Sequence, residues 1–448
     1  MKYLFAFFIL FPRLVTAQKG PVSFAGQIPA HVFASSEVMM HDVVNPPAAS
    51  RFYAYIMLGA YEIVSQHDSS VPALPAWIRS YTRATIRSKK RYDYQVAALY
   101  CMLETGRLIL PSGYMLKEDQ EEFIARLRKQ YNDTTIIQES VAVATSVAQQ
   151  IVAYAKADQY NRLSARIRYT PLKGEGYWYP TPPAYIEAVE PNWKTIRPLL
   201  LDSCSEFRPR LPIAFSKDST SSFYSLAREV YDVSRKLSPQ QAGIAAFWDC
   251  NPFAVSTSGH MSIGFKKISP GGHWMSIGGI VAKKARLSFD QSILLHTVLA
   301  AAMMDGFISC WEEKYRSNRI RPETYINRYI DIKWQPLLQT PPFPEYPSGH
   351  SVISAAAAEV LTYFLGNDFS FSDDSERMFG LPVRSFKSFR QAAGEAAISR
   401  LYGGIHFRDA VEQGLQEGSA VGVKVVSMIK AAGIKPLNNQ PAAPRKKD

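Results

Sequence analysis

The chain has 448 residues, 47% hydrophobic and 20% charged, with 51 Lys+Arg against 39 Asp+Glu and a formal net charge of +12. This composition is ordinary for a globular protein and excludes disordered, collagen-like and low-complexity classes for most of the length. Lys and Arg are scattered among Asp and Glu, and the compact basic run is the tail Pro444-Arg445-Lys446-Lys447; this favours a solvated surface and argues against a nucleic-acid partner.

The N-terminus reads as a signal peptide over residues 1–17. Met1-Lys2 is a short positive start, Tyr3 to Phe11 an apolar run, and Val15-Thr16-Ala17 a small-residue cleavage site. The run is shorter than the roughly 20 residues needed to span a bilayer. The expectation is an exported chain, periplasmic or extracellular, beginning near Gln18 and without a transmembrane anchor after cleavage. Removing Lys2 and Arg13 leaves a charge of about +10. Cys101, Cys204, Cys250 and Cys310 are far apart and form no C-x-x-C pair, so a metal-ligand cluster is not expected. Disulfides and buried free thiols both remain open.

Helical periodicity dominates the N-terminal half, at residues 51–64, 92–110, 118–131 and 134–155. Residues 160–215 are rich in Pro, Tyr, Trp and Arg and read as an irregular connector. Helical patterning resumes over 221–247, and a Gly-rich irregular patch spans 249–272. His273 and Asp249, on or beside that patch, are candidates for a site entrance. Two short strings resemble each other, Gly259 to Gly264 and Gly272 to Gly278, but two copies make no repeat architecture. Residues 292–311 are strongly apolar yet include His296, Asp305 and Gly306, and read as a buried core helix. The expected fold is all-α: two packed helical bundles, with the site in the C-terminal one. The expected divisions are an N-terminal helical domain with its Pro-rich connector over 18–215, a catalytic domain over 216–434 and a disordered tail over 435–448.

Three clusters between Trp311 and Asp409 carry chemistry. In the first, Lys314 and Arg321 are seven residues apart, which on one helix places both on one face; Arg316 and Arg319 would point elsewhere. Pro322 would end that helix. A point charge beside a planar fork suits a multiply charged oxyanion. In the second, Pro347-Ser348-Gly349-His350 joins a Pro-rich segment to an Ala-rich one. That junction is a helix N-terminus capped by Ser348, with free N–H groups and partial positive charge. Gly349 allows an anion close to the backbone, and His350 stands in the first turn as an acid–base group. In the third, Arg400 and His406 flank Gly403-Gly404. A histidine there can attack phosphorus or ligate a metal, provided an acceptor holds its other nitrogen; Asp409, one turn on, is the candidate.

The combination resembles the superfamily of type 2 phosphatidic acid phosphatases and vanadium-dependent haloperoxidases, whose signature is K-x6-RP, PSGH and SR-x3-G-x-H followed by Asp. The match here is Lys314, Arg321-Pro322, Pro347-Ser348-Gly349-His350 and Ser399-Arg400 to Gly404 and His406, over about a hundred C-terminal residues. The resemblance implies that Lys314, Arg321, Ser348, Gly349 and Arg400 bind the oxygens of vanadate or phosphate. It makes His406 the axial vanadium ligand, or the phosphorylated nucleophile of a phosphatase, and His350 the acid–base residue. The family's Asp usually lies four residues after the last His; position 410 is Ala, and Asp409 is three after. Trp311 and Phe343 are similar to aromatic residues lining the halide side of vanadium chloroperoxidases. With the long helical region before residue 215, they tilt the expectation to vanadate cofactor and peroxide and halide substrates. The alternatives are a phosphomonoesterase acting on a phosphate ester through phospho-His406, and a non-catalytic oxyanion-binding protein.

Overall fold

The computed structural model describes residues 23–437 except Lys89, Gly259, His260 and Phe265. The expected signal peptide and residues 438–448 of the expected tail lie outside these. Leu437 is buried, and its N–H donates to the Phe364 carbonyl at 2.8 Å. The packed chain therefore runs two residues further than the expected start of the tail.

Among the described residues there are thirteen α-helices. The N-terminal part contributes α1 (Phe24–His41), α2 (Pro46–His67), α3 (Tyr94–Ile109), α4 (Leu116–Arg128) and α5 (Thr134–Lys156). Of these, α1 is the one that periodicity did not mark. After the connector come α6 (Ser222–Arg235), α7 (Pro239–Phe247), α8 (Pro270–Lys284), α9 (Phe289–Ser317) and α10 (Pro322–Tyr329). The chain ends with α11 (Gly349–Leu365), α12 (Phe389–Tyr402) and α13 (Arg408–Ala431). The helical stretch expected over 221–247 is two helices, because Ser238 forms a capping box with Gln241 and Pro239 takes the first helical position. Two antiparallel hairpins complete the fold: β1 (Val255–Ser258) with β2 (Met261–Gly264), and β3 (Phe371–Asp373) with β4 (Arg384–Phe386). Of the two similar strings, the described part of the first, Met261–Gly264, is strand β2, whereas the second lies in α8.

The two bundles share α9. It packs against α2 on one side and α11 and α13 on the other. Among the described residues it is the one helix long and apolar enough to cross a membrane, but 94% of its apolar window is buried in the molecule, which makes it the core helix. The buried Asp305 carboxylate on α9 accepts the N–H groups of Leu199, Leu200 and Leu201 at 2.8, 2.7 and 2.9 Å, tying the irregular connector to the core. One apolar cluster runs from Ile28 to Leu437 through both bundles.

The partner of α11 is α13, and the two lie unusually close. Gly414, Gly418 and Gly422 recur every fourth residue and so form one stripe. A Cβ on Gly418 would sit 2.0 Å from the Val352 carbonyl oxygen, and one on Gly414 would sit 2.8 Å from that of Ser348. These glycines let α13 lie directly on the first turns of α11, which carry Ser348, Gly349 and His350.

Candidate active site

Ser348 caps α11, its Oγ accepting the Ser351 N–H at 3.4 Å. The first turn therefore presents free N–H groups, as expected at a helix start. Gly349 packs under Trp311, whose ring a Cβ there would approach to 3.4 Å. Arg400 is in the last turn of α12. The helix stops at Gly403, Gly404 takes φ +77°, and His406 lies in the linker before α13. A residue with a side chain is strained at that φ, which explains the glycine.

Lys314 and Arg321 do not share a helix. Asn318 adopts the left-handed conformation and ends α9 at Ser317; Pro322 opens α10 rather than closing α9, with Arg321 at its cap position. Both cations are nevertheless fully buried and come to the same place. Lys314 Nζ donates to the carbonyls of Pro344 and Glu345, both at 3.1 Å, and of Pro347. Arg321 donates from Nε to Phe343 O at 3.0 Å and from Nη1 to Ile405 O at 2.8 Å, and Nη1 lies 3.2 Å from His406 Nε2. Arg400 donates to Ser399 Oγ at 2.9 Å and Trp248 O at 2.7 Å.

Asp409 does not support His406. Because His406 precedes α13, a helical three-residue spacing does not apply, and Asp409 instead makes a bidentate pair with Arg319 at 2.6 and 2.7 Å. The acceptor at His406 Nδ1 is Glu345, at 2.8 Å, which also takes the Phe407 N–H at 2.9 Å. Arg319 Nε binds the other oxygen of Glu345 at 2.7 Å. Arg319, expected on another face of a continuous helix, is thus buried in a chain running Asp409, Arg319, Glu345, His406. Sequence reasoning missed Glu345 and Arg319. The available signal was a lone carboxylate inside the run Pro341 to Pro347, three residues before Ser348.

This arrangement fixes the proton on His406. A carboxylate at Nδ1 holds an N–H there and leaves the lone pair on Nε2, towards Arg321. Burial, then the charges of Arg321 and Lys314, hold His406 well below the usual imidazole range, so the ring is neutral. His350 is also held well below it, by burial and then by Arg400, His406 and His273. Burial lowers Lys314 to about 8 and Arg321 to about 10. Arg319 is raised despite its burial, because Glu345 and Asp409 face it.

A cavity with about 510 Å³ of empty space, including its mouth, opens onto these groups. Gly349, His350, Arg400 and His406 line it, beneath a wall that includes Phe253, Phe307, Trp311 and Phe343. The rings of Trp311 and Phe343 lie 5.0 Å apart. Trp311 Nε1 and the Tyr315 hydroxyl both donate to Val189 O, at 3.2 and 2.6 Å, so the connector holds this wall. Asp249 lines the cavity as expected of an entrance residue, whereas His273 is fully buried and does not. Lys314, Arg321 and Ser348 stand behind the lining. Two buried polar atoms here have no hydrogen-bond partner, Arg321 Nη2 and His350 Nε2. Buried polar atoms without partners are costly; a bound tetrahedral oxyanion would accept from Arg321 Nη2, and a hydroxyl on it would donate to the bare Nε2 of His350. The residues therefore fit vanadate or phosphate, with His406 Nε2 as the ligating or attacking atom. All four cysteines are free thiols.

Fold and site together define a predominantly helical protein in which a neutral histidine and buried cations gather at one cavity, an arrangement that fits an oxyanion. The family model described as the VCPO second helical-bundle domain matches residues 294–432. A solved structure described as the first bacterial vanadium-dependent iodoperoxidase is 41% identical. Their match covers 92% of this chain and 98% of that one, with a TM-score of 0.85. Holo and apo forms of a bacterial vanadium-dependent chloroperoxidase share the fold at 15% identity. Their TM-scores are 0.65 and 0.67, over 92% and 87% of this chain and 96% of each of theirs. No curated protein sequence matches the chain. The chain belongs to the vanadium-dependent haloperoxidases, within the superfamily they share with the type 2 phosphatidic acid phosphatases.

Proposed function

We propose that this protein oxidises halide with hydrogen peroxide, and that Lys314, Arg321, Arg400, Ser348 and the backbone of Gly349 would hold the vanadate, with His406 Nε2 ligating it. The observation carrying this reading is the Glu345–His406 pair. It presents a neutral lone pair to a pocket of three buried cations and a helix N-terminus. Bound vanadate would supply a Lewis-acid centre that activates peroxide towards halide. The cations and α11 neutralise the anion and hold its oxygens in place. His350, uncharged and with a partnerless Nε2, takes the proton that peroxide loses. Phe253, Phe307, Trp311 and Phe343 keep water from the reacting atoms.

Iodide is the proposed halide, since the 41% identical structure is described as an iodoperoxidase. Export is proposed on the N-terminal pattern alone; sequencing the secreted protein should give Gln18 as its first residue.

The test is a pair of assays on one preparation: iodide and bromide oxidation by peroxide after loading with orthovanadate, and phosphate-ester hydrolysis without it. Halide oxidation that saturates with vanadate supports the reading. Ester hydrolysis with phosphate trapped on His406, and no halide oxidation, would establish the phosphatase instead. Silence in both would leave an oxyanion-binding protein.

A further inference from the structure

Behind the cavity, four elements bring a second cluster together. Cys250 lies just beyond α7, His273 is in the first turn of α8, Asp373 ends β3, and Glu376 is in the short helical turn Ser375–Phe379. All four side chains are buried. Cys250 alone of the four lines the cavity. His273 Nε2 lies 2.8 Å from Asp373 Oδ2. Its Nδ1 lies 3.4 Å from Cys250 Sγ and 3.5 Å from Glu376 Oε1. Glu376 Oε1 accepts no hydrogen bond although it is buried.

Asp373 holds the Nε2–H and so turns the Nδ1 lone pair towards the thiol and the partnerless carboxylate oxygen. That is the carboxylate–histidine–metal pattern. A thiolate sulfur at about 2.3 Å and an imidazole nitrogen at about 2.0–2.1 Å from zinc, at the tetrahedral angle, would be roughly 3.5 Å apart. Nitrogen and carboxylate oxygen would be separated by roughly 3.4 Å on the same distances. The observed 3.4 and 3.5 Å match both edges. The ligating atoms of Cys250, His273 and Glu376 all lie within 4.8 Å of one another. We propose that Cys250, His273 and Glu376 bind one zinc ion, with Asp373 orienting His273 and the fourth position facing the cavity beside Cys250. Thiolate, imidazole and carboxylate together suit a borderline-soft divalent ion, and three protein ligands leave a position for water. Binding exchanges protons for the ion: Cys–SH plus Zn²⁺ gives Cys–S–Zn⁺ plus H⁺, and a proton on His273 Nδ1 leaves to solvent as that nitrogen ligates, with no change of oxidation state.

The competing occupant is a proton. Burial opposes a charged His273, but Asp373 and then Cys250 raise it well above the usual imidazole range. The other charged groups facing the cluster are Asp249, paired with Lys267, and Arg400. The proposal does not depend on vanadate or on halide oxidation.

The test uses the full chain, stripped with chelator, dialysed against zinc and then against metal-free buffer, and measured by elemental analysis and then by cobalt(II) titration. The expected result is one zinc per chain and a thiolate-to-cobalt charge-transfer absorption. Cys250→Ser should lose that absorption. Asp373→Asn should weaken zinc binding about 10–100-fold. Folded wild-type protein that retains no zinc, or shows no charge-transfer band, would mean that the cluster holds a proton only. Because these readouts use wild type, a variant that fails to fold does not rescue the proposal.

Discussion

Glu345 decides which nitrogen of His406 faces the cavity, and its removal should be felt through that histidine. Glu345→Gln keeps an acceptor at Nδ1, while Glu345→Ala removes it. Vanadate affinity should fall about 10–100-fold in the alanine variant and less in the glutamine variant. Unchanged affinity in a folded alanine variant would remove Glu345 from this role. Lys314 carries the second prediction at this scale. Burial lowers it to about 8, so its ammonium is present below that pH and lost above it. Anion affinity should therefore drop as pH rises through about 8, and Lys314→Met should flatten that part of the profile. A profile identical in both proteins would contradict the assignment. The residues proposed to hold the oxyanion could be picked out in sequence because each sits within a short motif. The support of His406 was not. Asp409 was chosen by helical spacing, but His406 lies before the helix, and its true partner is 61 residues away along the chain.

The packing of α13 on α11 sets the position of the anion-facing helix start. Alanine at Gly418 gains about 1 kcal/mol of helix propensity. Its Cβ would, however, meet backbone at 2.0 Å, and forced overpacking costs about 1–3 kcal/mol or more. Backbone cannot swing aside, so the clash takes the upper end of that range, about 3 kcal/mol, and Gly418→Ala should destabilise by a net of about 2 kcal/mol in urea unfolding; a neutral or stabilised variant would show that the helices separate freely. The periodicity that reveals α2, α3, α5 and α9 says nothing of such a close approach, because glycine carries no hydropathy signal. It also missed α1, which has Pro29 inside it, and the break at Asn318, whose left-handed conformation ends α9 four residues before α10 begins.

For the whole molecule, the N-terminal half is part of the site rather than an appendage. Twenty of the 22 residues of α2 are buried, much of that against α9, and Pro46 at its start lines the cavity. Val189 anchors Trp311 and Tyr315. A chain cut to residues 216–448 should expose the α2 face of α9 and aggregate. A soluble fragment with native-like helicity and a cooperative melt would refute that dependence. The net charge of +12 says little about the site; Lys314, Arg319, Arg321 and Arg400, the cations that build it, are all buried. The central claim is that His406 holds the catalytic oxyanion, and the most direct measurement is peroxide-dependent iodide oxidation by vanadate-loaded wild type beside His406→Ala at equal protein. The predicted result is turnover by wild type and the buffer rate for the variant. Undiminished turnover in the variant, or none in wild type at any vanadate loading, would contradict it.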